Sequence, residues 1–491
     1  LRARSGACAA HRLPWSLPVL GGLALWALAG CDTAPRYTPP SAAVPAFYKE
    51  APTAAATWFP AAPADALDRG PWWQRFDDPA LSALVAQVAV SNQNVAAAVA
   101  AYAQAQALVR QNRAGLFPAM SLNAAATRSG SVGGARSAGT TTATTTSRGT
   151  DLQLGLSASW EPDVWGKLGD AVSSAQASAQ ASAADLAAAR LSAQASLATD
   201  YFALREADNE TALLTDAVAA YERALRITQN QYDAGIAQRT DVLQAQTQLA
   251  TTRASLTAMG AQRALLEHAI ALLVGQPPAS FSIPVAAWVV TVPAVPLVLP
   301  SELLQRRPDI AAAERQVAAA NANIGIQRAA YFPSLGLSGG LTGSGSAVAE
   351  LFRASNQVWS LGLSAAQTLF DAGATTARVE GAQAARDQAV ATYRQTVLGA
   401  LQAVEDQLTT LHSLAEQDGQ RRAASAAADR TEQLILNQYT QGQVDYTSVV
   451  AAQVTALSAR QSLSQLQSSR QAAAIALIQA LGGGWHAPTL P

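Results

Sequence analysis

Asn230-Gln231-Tyr232-Asp233-Ala234-Gly235 returns 207 residues later as Asn437-Gln438-Tyr439-Thr440-Gln441-Gly442. Two further stretches return in the same order. Leu154-Gly155-Leu156-Ser157-Ala158 becomes Leu361-Gly362-Leu363-Ser364-Ala365, and Ala114-Gly115-Leu116-Phe117-Pro118 becomes Ala329-Ala330-Tyr331-Phe332-Pro333. Three motifs recurring in order make the chain a tandem repeat. The offset of the Phe-Pro pair is about eight residues longer than the other two. The excess falls in the Gly/Ser/Thr-rich run from Gly130 to Thr150, a surface loop where insertions are tolerated.

Each half reads as helix, strand, loop, strand, very long helix, turn, long helix. Lys167 to Ala234 has no proline and is dense in Ala, Gln, Ser and Leu, with Leu197, Tyr201, Leu204, Leu214, Val218, Tyr221 and Leu225 at helical spacing. Such a helix extends for about 100 Å at ~1.5 Å per residue. Ala374 to Tyr439 is its counterpart. Lengths of this order belong to coiled coils. Thr240 to Val274 and Tyr446 to Leu481 return alongside them, and Pro79 to Arg113 is a further helix.

Leu116 to Thr127 and Asp151 to Trp160 read as strands, the second alternating Leu152, Leu154, Leu156 and Ala158 on one face. Alternation over this length suits a transmembrane barrel strand, the alternative being a soluble hairpin. Four strands per chain cannot close a barrel, because open edges in lipid leave backbone groups unpaired. Three chains supply twelve strands, which close. The expected fold is therefore mainly α with a trimeric 12-stranded transmembrane β-barrel on a long α-helical coiled-coil tunnel. The domain reading is 1–30 a signal, 31–78 an extended N-terminal arm, 79–275 the first repeat, 276–299 a Pro-rich linker, 300–482 the second repeat and 483–491 a tail.

Arg2, Arg4 and Arg12 precede an apolar stretch from Leu13 to Leu28, the pattern of a secretory signal. The signal ends in Leu28-Ala29-Gly30-Cys31, which reads as a bacterial lipobox with Cys31 as the acylated first residue of the mature chain. The alternative is a short membrane anchor with a chance cysteine. Asp32 follows directly, and an acidic residue there favours inner-membrane retention in familiar sorting systems. After Leu28 no apolar run approaches the ~18 residues of a helical span.

Lys and Arg total 33 against 34 Asp and Glu, a balance unlike that of a nucleic-acid binder. The four histidines and two cysteines form no metal-ligand spacing. Nucleotide-binding and hydrolase motifs are missing; Gly340 and Gly343-Ser344-Gly345 lack the third glycine of a phosphate loop and read as a barrel-end loop. We expect no enzyme and no cofactor beyond the covalent lipid on Cys31.

The lipobox, Trp72-Trp73-Gln74-Arg75-Phe76 ahead of Asp78 and Leu81, and above all Pro300-Ser301-Glu302-Leu303-Leu304-Gln305-Arg306-Arg307-Pro308-Asp309-Ile310 resemble the TolC-like outer-membrane efflux family, in its OprM/NodT lipoprotein branch. Ala313-Glu314, Ala319-Ala320-Asn321-Ala322, Ile324-Gly325 and Phe332-Pro333 extend the likeness, which covers roughly residues 28–484. The resemblance implies a homotrimer in the bacterial outer membrane with its tunnel in the periplasm. It implies a periplasmic adaptor and an inner-membrane RND-type transporter as partners, and passive export of small toxic compounds or drugs. By the same resemblance the two Tyr-x-x-Gly turns close the tunnel. The gate residues would be Tyr232, Arg239 and Asp241 on one turn and Tyr439, Asp445 and Thr447 on the other, with Gly235 and Gly442 making the turns; Asp233 and Tyr446 lie beside them. Where close relatives carry an aspartate and an arginine on the second return helix, this chain has Ala451 and Val454, which leaves an ionic and a hydrophobic gate both open. The alternatives are a duct for type I protein secretion and a non-channel periplasmic coiled-coil lipoprotein.

Overall fold

Absence of proline and density of small residues produce two uninterrupted helices of 67 residues each, α3 (Lys167–Asp233) and α6 (Ala374–Thr440). The computed structural model describes residues 33–45, 47–50, 71–130, 149–293 and 306–483. Its other helices are α1 (Pro79–Ser91), α2 (Gln93–Ala114), α4 (Arg239–Leu273), α5 (Pro308–Arg328) and α7 (Tyr446–Ala480). Its strands are β1 (Ala119–Ser129), β2 (Gly149–Trp160), β3 (Ser334–Gly345) and β4 (Gln357–Ala366). Among the described residues no single helix is long and apolar enough to cross a membrane. The signal, Cys31, Asp32, most of the Thr-rich loop, residues 300–305 and the tail from 484 onward lie outside the described residues.

The repeat is written into the backbone. Positive-φ glycines occur at 166, 235 and 275 and again at 373, 442 and 482, each pair 207 residues apart. These are the positions where the chain leaves or enters a helix with a backbone that L side chains resist.

The chain folds as two compact units, each drawing on both repeats. One contains residues 105–179 and 316–389 and includes the whole sheet. The sheet is antiparallel throughout, in the order β1-β2-β3-β4, so β2 and β3 join the two repeats. Among the described residues β1 and β4 each have one neighbour, which leaves two open edges. The arm begins in this unit: Thr33 Oγ1 donates to the carbonyls of Trp165 and Gly325, and Asn321 Nδ2 donates to the Pro35 carbonyl at 2.6 Å.

The other unit is helical. Leu197, Tyr201 and Leu204 on α3 are buried against Leu81, Val85 and Val88 of α1 and Ile270 of α4. Trp72 and Phe76 plug the same core, Phe76 lying 5.0 Å from the Phe202 ring. Farther along the arm, Tyr48 packs on Val404 and Leu408 of α6 and Leu477 and Leu481 at the end of α7, and Glu405 accepts from the backbone amides of Lys49 and Glu50. The Arg-Arg-Pro-Asp block has a mechanical role. Arg307 grips the Asp309 carboxylate through two nitrogens at 3.0 and 2.7 Å and donates to the Ala480 carbonyl, ending α7.

Several boundaries differ from the sequence reading. The helix expected over Pro79 to Arg113 is two, bent by 40° at Asn92. The Asn92 side chain accepts from the amides of Asn94 and Val95 and donates to the Leu273 carbonyl, so it caps α2 and pins α4. β1 starts at Ala119, not Leu116, because the residues before Pro118 form a turn at the end of α2. The arm closes in a 3-10 turn, Trp72–Phe76, and the linker opens on another, Pro278–Ser280. Gly340 to Gly345 belongs to strand β3, where Gly340 pairs with Ser360 and Gly343 with Gln357; it is not a loop.

Candidate gate at the two helical turns

Both turns end a long helix in the same way. Gly235 adopts φ 74° and Gly442 φ 73°. The Gly235 amide donates to the Tyr232 carbonyl and the Ile236 amide to the Gln231 carbonyl; Gly442 and Gln443 repeat this with Tyr439 and Gln438. This double bond satisfies carbonyls that a helix end leaves unpaired. A Cβ at either glycine would meet nothing within 4 Å, so the sign of φ alone calls for glycine there.

The acidic residues serve the helix starts. Asp241 accepts from the Gln238 amide at 3.2 Å in the first turn of α4. Asp445 caps α7, accepting from the Ser448 amide at 2.9 Å and its hydroxyl at 2.6 Å. Those bonds hold the Asp445 carboxyl below the usual carboxylate range. Asp233 is held by Gln229 at 2.9 Å.

The two hairpins are braced against each other. The Tyr439 hydroxyl donates to Gln231 Oε1 at 2.6 Å, and Thr447 Oγ1 donates to Gln244 Oε1 at 3.3 Å. Tyr446 is buried beneath, its ring 5.6 Å from Tyr439, among Ala224, Ala245 and Val449. Burial first, then the neighbouring Tyr439, Tyr221 and Asp241, push its hydroxyl up to about 12. It is a packing residue, not a surface one. Sequence reasoning missed Gln231 and Gln244; the available signal was Gln231 recurring as Gln438 in the repeat.

Tyr232 and Arg239 remain uncommitted. Both are exposed and make no side-chain bond to another described residue. Thr447, Ala451, Val454 and Ser458 line one exposed face of α7, spaced by three and four. The arrangement is a cross-braced pair of hairpins whose turns present the exposed Arg239 guanidinium, the exposed Tyr232 phenol and a face of small residues on α7.

The family model described as outer membrane efflux protein matches residues 84–276 and 299–483. The chain belongs to the outer membrane efflux protein family. This efflux protein is 31% identical over 426 residues to the pyoverdine export outer membrane protein OpmQ of Pseudomonas aeruginosa, across 86% of this chain and 89% of OpmQ. It is 28% identical over 479 residues to SilC of Salmonella typhimurium, described as a probable outer membrane lipoprotein, across 96% of this chain and 99% of SilC. The solved structure of the outer-membrane channel OprN superposes with a TM-score of 0.79 at 30% identity, across 93% of this chain and 100% of OprN. The efflux protein is thus an outer-membrane exit duct of the TolC-like class, with the long helices and four strands read from its sequence.

Proposed function

We propose that three copies of this efflux protein close their sheets edge to edge, β1 of one on β4 of the next, into a twelve-stranded barrel above a helical tunnel. The observation that carries this reading is the pair of open edges on a sheet with an exposed apolar face. Leu122 is 69% exposed, Trp359 76% and Leu363 75%. In water that surface is a liability, and in lipid with closed edges it is what a barrel needs. The duct conducts passively, receiving small toxic or drug-like cargo from an inner-membrane transporter through a periplasmic adaptor. The pyoverdine export named for OpmQ supports this cargo class over secreted protein. Cys31 carries the lipid; the lipoprotein description of SilC supports this.

The closed end of the tunnel is formed by the two turns. Arg239 and Tyr232 reach neighbouring copies around the threefold axis, while Tyr439, Asp241, Asp445 and Thr447 keep each hairpin pair rigid. An exposed ion pair is worth about 0–1 kcal/mol, so three copies hold a closed state that an adaptor can overcome. Arg239→Ala should raise single-channel conductance in planar bilayers and sensitise cells to large antibiotics. Arg239 is the cleaner test than Asp241, whose removal also uncaps α4. Unchanged conductance in an intact trimer removes Arg239 from the gate and moves the constriction to the Thr447, Ala451 and Val454 face.

A further inference from the structure

The strand register divides the sheet into two chemically distinct faces. Ser121 pairs with Ser157, Ser157 with Gly340, and Gly340 with Ser360, so these four lie on one side. Leu122, Leu156, Leu341 and Trp359 form the same ladder on the other. The hydroxyl side is concave, with a trough of about 440 Å³ whose lining includes Asn123, Gln153 and Thr342.

On the concave side glycines stand opposite hydroxyls. A Cβ on Gly336 would come within 2.9 Å of Ser364 Oγ, and one on Gly362 within 3.0 Å of Ser338 Oγ. Gly340 faces Ser360, and Gly155 faces Thr342, in the same way at 3.2 Å. Each hydroxyl folds over its glycine. Ser364 Oγ donates to the Gly336 carbonyl at 3.3 Å, and Ser121 and Ser157 bond each other at 2.7 Å. Several donors of this wall are spent on the wall itself, while the hydroxyls of Thr342 and Ser360 are not. Among the described strand residues, the one ionisable group on this side is Asp151, opposite Thr127 and held by Gln153 at 2.9 Å. Arg128 lies on the leucine side.

We propose that the barrel stretch sorts cargo by charge at one residue, Asp151. This rests on the trimeric reading above, in which the concave side is the lumen and three copies of Asp151 form a ring. A carboxylate ring in a confined bore favours cations, within a screening length of about 8 Å. The remainder of this wall, among the described strand residues, carries no charge of its own.

The test uses single-cysteine variants of the full chain, exposed in intact cells to a cationic and an anionic methanethiosulfonate reagent. Folded trimers are selected in mild detergent before the labelled fraction is read. Ser157→Cys and Ser338→Cys should react with both reagents. Asp151→Asn should lower the cation-to-anion rate ratio at Thr127→Cys, the residue paired with Asp151, roughly two- to fivefold. With Asp151→Asn present, the ratio at Thr127→Cys should equal that at Ser157→Cys, which lies about 20 Å along the strand from Asp151 and beyond its screening length. An unchanged ratio on Asp151→Asn, or ratios that still differ between the two positions by more than twofold, overturns the proposal. Labelling of Leu156→Cys with none at Ser157→Cys contradicts instead the assignment of the concave side to the lumen, so the two failures are distinguishable.

Discussion

Gly442 and Gly482 are both held at positive φ, yet an added methyl group meets different surroundings at each. At Gly442 it meets open space and at Gly482 it lies 2.7 Å from the Arg306 carbonyl. Gly442→Ala should therefore cost only the backbone strain, about 1 kcal/mol. Gly482→Ala adds a clash with the Arg306-Arg307 segment that closes α7. Thermal unfolding followed by circular dichroism should show the larger drop for Gly482→Ala, and equal drops contradict this account. Glu206 supplies a pH dependence. Its carboxyl is pushed up to about 7 by burial first and by Glu210 second, with Ser464 pulling the other way. Ser464 Oγ donates to Glu206 at 3.4 Å and Gln461 to Glu210 at 2.8 Å; neither is a cation. The folded chain therefore holds this proton more tightly than the unfolded one, so stability falls as pH rises from the ordinary 4.5 to about 7. Glu206→Gln should flatten that part of the melting-temperature profile. A profile identical to the unmodified chain would mean the pair does not titrate there.

At the scale of elements, one buried charge network ties α3, α4 and the start of the linker together. Asp208 accepts from Arg205 at 3.0 Å and from Arg263 at 2.6 Å, with side-chain exposures of 1%, 5% and 17%. Arg205 also donates to the Pro284 carbonyl and Arg263 to the Ile283 carbonyl. Asp208→Asn leaves Arg205 without its anion and Arg263 with Glu267 alone, and should cost about 3–5 kcal/mol. Glu222→Gln, removing the exposed partner of Arg253, should cost about 0–1 kcal/mol. Comparable melting shifts in the two variants contradict the network's role. This network was not legible in the sequence, because its members come from segments whose facing is set by tertiary packing. The long helices were legible, since 67 residues without proline leave few alternatives. The break at Asn92 was not, because apolar spacing runs on through it and only the side-chain caps betray the bend. The turn glycines were legible from the repeat. The division of labour around them was not: Asp445 and Tyr439 carry the residue types of a gate, but their bonds close within the chain.

At the scale of the molecule, a sheet with open edges and one apolar face cannot be the whole working unit. The polar groups on the free sides of β1 and β4 need partners before the leucine face can enter lipid. Twelve strands from three chains satisfy them by closing the sheet. Lipid on Cys31 would then add to an insertion the barrel already secures. The most direct test is the mass of the purified, detergent-solubilised protein by light scattering, with circular dichroism on the same sample. A trimer is expected, with three times the chain mass and native helix and strand content. A monomer retaining that content would contradict it.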